Sequence, residues 1–471
     1  MSITFQLALV VMAMVSGSCT MIPGYHRPAA PVGATYPFGN VAQHEAHPAD
    51  IAWRDFFLDE RLKELLELAM TSNRDLRVAI LNVAQSHAQY RITASASYPT
   101  IDANGSYIRS QSSSAAFAQR AGANSPATLT SSEWNASLGT TAYEVDLWGR
   151  VRSLNQQALE MYLATDEARR SAQIALVAEV AAAFFTLREN EEALDLSRQT
   201  LQAVQQAYDL NKALFDAGAS SDLDFSEAAG QVQTAKINVL TYERQKAQAE
   251  NNLVLLIGRP LPTDLPLPRP FAAGNLLVQI PVGLPSELLE RRPDILKAEH
   301  TLKAANADIG AARAAFFPAV VFTASIGSSE SQFSQLFGLG TGIWSFSPQI
   351  TLPIFTGGRN VATLEAAKVG KQIEIANYEK AIQTAFREVS DAMVGVRTYS
   401  RQIDEEAALI AAQKRRYELA IARFRHGDDT YLNALTAQQD LYSAQQALIQ
   451  AQFNSLSSQI SLYQALGGGW K

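Results

Sequence analysis

The sequence predicts an α+β membrane protein built from two internal repeats, with four strands per chain that close into a barrel only when chains assemble. Three observations predict this. Two stretches of the chain share anchor residues at fixed offsets. Segments of strict period two sit between long proline-free segments. Four strands are too few to close a barrel alone.

The repeat organises everything else. "RDLRVAILNVAQSHAQYRITASASYPTI" (74–101) matches "PDILKAEHTLKAANADIGAARAAFFPAV" (293–320) in pattern. Asp75 and Pro99 pair with Asp294 and Pro318 at an offset of 219. Arg150, Gly218 and Gly258 pair with Arg359, Gly427 and Gly467 at an offset of 209. Two helical hairpins that merely share composition would not keep three anchors at one spacing. The organisation that follows is a leader at 1–18, an N-terminal segment at 19–60, a first repeat at 61–258 and a linker at 259–284. A second repeat at 285–467 and a tail at 468–471 complete it. Each repeat reads as a helix, a strand hairpin (about 99–147 and 318–355), a long helix, a break and another long helix.

The strands come from alternation. Trp344, Phe346, Pro348, Ile350 and Leu352 alternate with Ser345, Ser347, Gln349 and Thr351. Val320, Phe322, Ala324 and Ile326 do the same in the preceding segment, as do Trp134, Ala136 and Leu138 in the first repeat. Segments of about ten alternating residues with aromatic ends mark outer-membrane barrel strands, one face toward lipid and one toward water. "IDANGSYIRS" (101–110) carries the pattern more weakly. The Ser-, Gly- and Ala-rich links at about 111–131 and 329–342 suit exposed loops. An open sheet edge in lipid leaves backbone groups unpaired at several kcal/mol each, so the chain must oligomerise; three copies supply twelve strands. The alternative is a soluble α+β protein whose strands pack on helices.

Long helices follow from what is missing. No proline lies between Pro126 and Pro260, and none follows Pro353. The 68 residues from Arg359 to Gly427 would reach roughly 100 Å as one helix. In the last segment Leu441, Leu448, Ser455 and Leu462 share one heptad position, and Ala444, Ala451, Ser458 and Ala465 the other. Gly218 and Gly427 fit left-handed helix ends, with Ser221 and Asp222, or Asp428 to Thr430, capping the returning helix. The breaks are therefore hairpin tips.

The N-terminal "FQLALVVMAMVSGSC" holds about a dozen apolar residues ending in small ones. That suits a signal-peptide core rather than a spanning helix. Cys19 is the only cysteine, so no intramolecular disulfide forms. Either it is incidental to a discarded leader or it is the lipidated first residue of a mature lipoprotein, which would gain roughly 0.8 kcal/mol of membrane affinity per buried CH₂. The net charge of −7, with no basic stripe, argues against nucleic acid. "HEAH" (44–47) lacks the spacing of a helical zinc site, and "GLGTG" (338–342) lacks the strand–turn–helix setting of a phosphate loop. The sequence offers no catalytic residues, no metal ligands and no cofactor site.

Together "CTMIPGYHRP", "NRDLRVA", "DLWGRVRS", "LPSELLERRPDI", "AARAAFFP", "LPIFTGG", "YEKAIQTAFREVSDA" and "ALGGGW" resemble the trimeric TolC-like outer-membrane factors, most closely the lipidated OprM-type (NodT-like) efflux outlets. The resemblance covers nearly the whole mature chain. It implies a homotrimer with a twelve-stranded outer-membrane barrel continuous with a twelve-helix periplasmic tunnel. It implies docking to a periplasmic adaptor and, through it, to an inner-membrane RND-type transporter that supplies the energy. In that family a leucine on the second tip helix narrows the tunnel, with an acidic residue one turn later. The leucine matches Leu432. The acidic position matches Thr436, a departure, and a second position acidic in some relatives matches Asn433. Asp428 and Asp429 are the charges near this mouth, and Gly218, Ala219, Ser220 and Gly427 match the adaptor-docking tips. Two other functions remain open, an outlet for protein secretion and a structural envelope lipoprotein.

Overall fold

In the computed structural model residues 20–36, 51–112, 129–271, 276 and 285–470 are described. Cys19 and His44–His47 lie outside them. The chain forms two compact units. One comprises the described residues of Met1–Arg27, Gln85–Leu163 and His300–Ala376; the other those of Pro28–Ala84, Ala164–Glu299 and Asn377–Lys471.

The first repeat opens with α1 (Trp53–Phe56), α2 (Glu60–Ser72) and α3 (Arg74–Ser95). Asp59 caps α2 by accepting the Leu62 N–H at 3.1 Å, and Asn73 caps α3 through Leu76 N–H at 2.7 Å. The helical pattern stops shortly before Pro99, as the ring of a proline requires. Strands β1 (Asp102–Ser112) and β2 (Leu129–Val145) follow, then α4 (Arg150–Asp216) and α5 (Asp222–Ile257). The second repeat has α6 (Pro285–Arg291), α7 (Pro293–Ala314), β3 (Ala319–Glu330), β4 (Gly342–Thr351), α8 (Arg359–His426) and α9 (Tyr431–Ala465). The expected loop after β3 also holds a 3-10 turn at Phe333–Gln335.

All four strands lie in the first unit as one antiparallel sheet in the order β1-β2-β3-β4. The register collects the apolar residues on one face. Ile326 stands opposite Trp344 and Leu138, Ala324 opposite Phe346, Val320 opposite Ile350, and Tyr107 opposite Trp134. The other face is hydroxyl-rich. Ser325 meets Ser345 at 2.8 Å, Ser110 meets Ser131 at 2.8 Å, and Ser329 donates to Glu133 at 2.6 Å. One extra residue in β2 between Thr140 and Tyr143 makes a bulge, with Ala142 at φ 57°. Bulges and glycines curve sheets. A Cβ at Gly139 would fall 2.4 Å from Ala324 O, and one at Gly327 would fall 2.2 Å from Ala136 O. Both glycines sit on the hydroxyl-rich face by parity, so the strands crowd there and that face is the concave one. The apolar face is convex and open, with Trp344, Phe346 and Ile350 at 78%, 60% and 70% exposure.

The turns into α4 explain "DLWGR". Asp146 accepts the N–H groups of Val151 and Arg152 at 3.1 and 2.9 Å, capping the helix. The Trp148 indole donates to Pro318 O at 2.9 Å and stacks on Phe317. Gly149 turns left-handed at φ 75°, and Arg150 pairs with Glu144.

The second unit holds the main core. Phe56, Leu62, Leu65 and Leu66 from α1 and α2 pack on Phe184 and Phe185 of α4, Leu253 and Ile257 of α5, and Tyr463 of α9. Tyr463 stacks on Phe56 at 4.0 Å, and its hydroxyl donates to Ile51 O at 2.6 Å. Gly468 lies against that ring; a Cβ there would come within 2.2 Å of it, which accounts for "ALGGGW". Of the small heptad position, Ala444, Ala451 and Ala465 are buried, while Ser458 is half-buried. Helix α4 contains a window of mean hydropathy 1.3, long enough to cross a membrane, but 56% of it is buried, as a core helix requires.

The repeats also share contacts that the sequence alone does not show. The Asn73 amide donates to Leu256 O at 2.7 Å, and the Arg292 guanidinium donates to Ala465 O at 3.0 Å. The two donors are 219 residues apart and the two acceptors 209, the same offsets as the anchors. Different side chains thus tie the last turn of each hairpin to the start of its own repeat. The helix-ending glycines obey the same symmetry. A Cβ on Gly258 would meet Ser72 O at 2.5 Å, and one on Gly467 would meet Arg291 O at 3.4 Å.

Candidate functional site

The two hairpin tips lie in the second unit and are built alike. At the first, Gly218 adopts φ 71°; its N–H donates to Phe215 O at 2.9 Å and the Ala219 N–H to Leu214 O at 2.8 Å. At the second, Gly427 adopts φ 80°; its N–H donates to Phe424 O and the Asp428 N–H to Arg423 O, both at 3.0 Å. Both are Schellman closures, and only glycine takes this conformation without strain.

The caps differ. Ser221 accepts the Asp224 N–H at 3.1 Å, as its position predicts. Thr430 occupies the equivalent place, but its side chain caps nothing. Asp429 takes over there, accepting the Thr430 N–H at 2.8 Å and the Asn433 amide at 2.6 Å. These bonds, the Asn433 amide first and the Thr430 N–H next, hold the Asp429 carboxyl below its ordinary range. It therefore stays charged at neutral pH, with Arg423 at 3.6 Å.

The structure places the remaining predicted residues as follows. Leu432 is 51% exposed on the first turn of α9. Thr436 returns its hydroxyl hydrogen to Leu432 O at 2.9 Å. Asp428 is exposed at the turn. Gly218 and Ala219 are exposed and Ser220 is half-buried; no atom lies within 4 Å of where a Cβ would sit on Gly218 or Gly427.

What the sequence reading missed is the aromatic support under these tips. Tyr431 and Leu435 of α9 are buried with Ala228 of α5, flanked by Tyr208 and Phe424. At the first tip Phe215 stacks on Phe225 at 5.1 Å. Phe215 and Phe424 stand at the repeat offset of 209, a signal that was available.

In the first unit, residues just after Cys19 form a strap along α7. Asn306 donates to Pro23 O at 2.8 Å and Arg313 to Met21 O at 3.3 Å. Ile22 fills the notch at Gly310, where a Cβ would come within 2.7 Å of it. Since Met21 sits by Arg313 and Pro23 by Asn306, the strap runs antiparallel to α7, its start nearest β3.

An amphipathic sheet with a convex apolar face, on a chain that also carries two long helical hairpins, defines a class: outer-membrane proteins with extended helical hairpins. A family model described as outer membrane efflux protein matches the chain twice, at residues 65–259 and 284–468, and the chain belongs to that family. Among its relatives is the toluene efflux pump outer membrane protein TtgC of Pseudomonas putida, 45% identical over 472 residues that cover 98% of this chain and 95% of that protein. Another is outer membrane protein OprJ of Pseudomonas aeruginosa, 41% identical over 471 residues, covering 99% of this chain and 96% of that protein. The solved structure of the open state of the Neisseria gonorrhoeae MtrE outer membrane channel matches with a TM-score of 0.87 and 38% identity, over 96% of this chain and 99% of that one.

Proposed function

We propose that three copies of this chain form a passive exit duct through the outer membrane for drugs and other small molecules. An inner-membrane RND-type transporter loads the duct through a periplasmic adaptor, and the chain itself catalyses nothing. The observation that carries this reading is the sheet: a hydroxyl-rich concave face, an apolar convex face and two open edges, β1 and β4. Pairing β1 of one copy with β4 of the next satisfies those edges in lipid, and a serine-rich lumen stays wet. Helix α3 supports assembly as well. It buries only Leu76 within the chain and leaves Val78, Ile80, Leu81 and Ile92 exposed for a neighbouring copy. In cells lacking the gene, a fluorescent efflux dye should accumulate and the restored gene should lower it; equal accumulation in both would move protein secretion ahead of efflux.

The far mouth is proposed to close on Leu432. Thr436 and Asn433 are uncharged and bond to Leu432 O and Asp429, so neither offers an acidic ring. Asp428 and Asp429 bring two carboxylates per chain, which repel across a threefold axis and attract cations. Leu432→Ala is expected to raise single-channel conductance in planar bilayers; an unchanged conductance sinks the idea. Gly218, Ala219, Ser220 and Gly427 give small surfaces for the adaptor to approach closely. Cys19, two residues ahead of Met21 on the strap, is proposed as the lipidated residue, and its acylation is read directly by mass spectrometry of the mature N-terminus.

A further inference from the structure

A cavity of about 460 Å³ opens between α4, α5 and α9 in the second unit, far in sequence from either tip. Glu189, Tyr242, Gln245, Gln446 and Gln450 supply its polar wall. Small residues leave the space open, Ala193 on α4 and Ala447 on α9. The wall is ordered from behind. The Gln446 amide donates to the Tyr242 hydroxyl at 2.7 Å and to the Tyr442 hydroxyl at 2.9 Å, and Tyr442 pairs with Ser197 at 2.8 Å.

We propose that this cavity is a binding site for a small organic cation, a protonated primary amine bearing an apolar group. Glu189 is its one carboxylate, and among the described residues it has no hydrogen bond or ion pair. The cations near it in sequence and on α5 are committed elsewhere. Arg188 pairs with Glu191 and Glu192, and Lys246 with Glu191 at 3.4 Å and Glu250 at 3.7 Å. Of the residues that α5 and α9 bring to the cavity wall, Tyr242 is the titratable one, and burial raises its phenol above the ordinary value, so it is neutral in the working range. Burial alone pushes the Glu189 carboxyl up to about 7. An ammonium would supply the missing charge there, and its three hydrogens suit one carboxylate and the amide oxygens of the glutamine wall. The Tyr242 ring adds an aromatic surface, and Ala193, Ala447 and Ile449 receive the apolar group. A hard divalent ion fits poorly, since it takes six or more oxygens in a fixed shell and the single Glu189 carboxylate would leave most of them to water.

The site rests on the helices of a single chain and not on the duct reading, so a direct binding measurement tests it alone. The probes are benzylammonium and the uncharged benzyl alcohol of the same shape, followed by ligand-observed saturation-transfer NMR on the purified full-length chain in detergent. Benzylammonium should bind at pH 8 and weaken about tenfold at pH 6, as Glu189 takes up a proton. Glu189→Gln should lose at least about tenfold at pH 8 and lose the pH dependence, and benzyl alcohol should bind no better than that variant binds the amine. Ala447→Leu keeps the acid but fills the space, and it should abolish binding with an unchanged circular dichroism melt. Equal affinity for amine and alcohol, or full affinity in a folded Glu189→Gln, overturns the proposal.

Discussion

Arg292→Ala should cost the folded chain about 1.5–3 kcal/mol, a fall readable in urea titrations followed by far-UV circular dichroism. Arg292 is 7% exposed and makes four bonds at once. Its Nε and Nη2 grip Asp294 at 2.9 and 2.6 Å, Nη2 also reaches Glu388 at 2.8 Å, and Nη1 holds Ala465 O at 3.0 Å. Burial opposes the charge, but hydrogen bonds and Coulombic attraction from Asp294 and Glu388 outweigh it and raise the guanidinium pKa. Removing the fork takes this donor from Glu388 and from the Ala465 carbonyl, while Asp294 keeps the Ile295 N–H at 3.0 Å; both carboxylates are more than a third exposed, so water makes up part of the loss. Arg292→Lys should recover only part of the loss, because a single ammonium cannot span the planar arrangement. A melt of Arg292→Ala indistinguishable from the parent would show that the tie between α7 and the end of α9 is not structural.

Arg292 also marks where sequence reading stops. The sequence aligned 73 with 292 through the neighbouring Asp75 and Asp294, yet an asparagine and an arginine do not look equivalent. They become so only when α5 and α9 bring Leu256 O and Ala465 O to the same relative place. Local chemistry was legible. Gly218 and Gly427 announced left-handed helix ends and each has a positive φ; the repeat anchors Gly258 and Gly467 have one too, which their spacing alone did not announce. The alternation of 344–352 announced a strand, found at Gly342–Thr351. Long-range pairing was not legible. Nothing in β2 says that it will join β3 of the other repeat, or that Ala142 will absorb an extra residue to keep Tyr143 opposite Phe322. The sequence left the second cap open between Asp428 and Thr430, and Asp429 within that range supplies the bonds. Thr430 has the better position, but Asp429 can bond Thr430 and Asn433 together, and that pair wins. Glu189 gave no signal at all, since a cavity exists only once three helices are packed around it.

The second large effect concerns the sheet. Gly327→Val should abolish the assembled form, measured as the fraction of detergent-extracted protein that elutes as the oligomer in size-exclusion chromatography. The obstruction is main chain rather than a movable side chain: Ala136 O would lie 2.2 Å and Ser137 Cα 2.7 Å from the new Cβ. Overpacking against side chains costs about 1–3 kcal/mol, and here the neighbour cannot rotate away. The strand must shift instead, which breaks pairs with both β2 and β4, since Gly327 stands between Ser137 and Ile343. A sheet that cannot tighten on its hydroxyl-rich face cannot present the curvature by which edges from separate copies meet. Gly139→Val is the companion variant. It stands on the same face of β2, its Cβ would fall 2.4 Å from Ala324 O, and it should abolish assembly in the same way. If both variants assemble as the parent does, the crowded face is not the concave one, and the assignment of the serine-rich surface to a lumen falls with it.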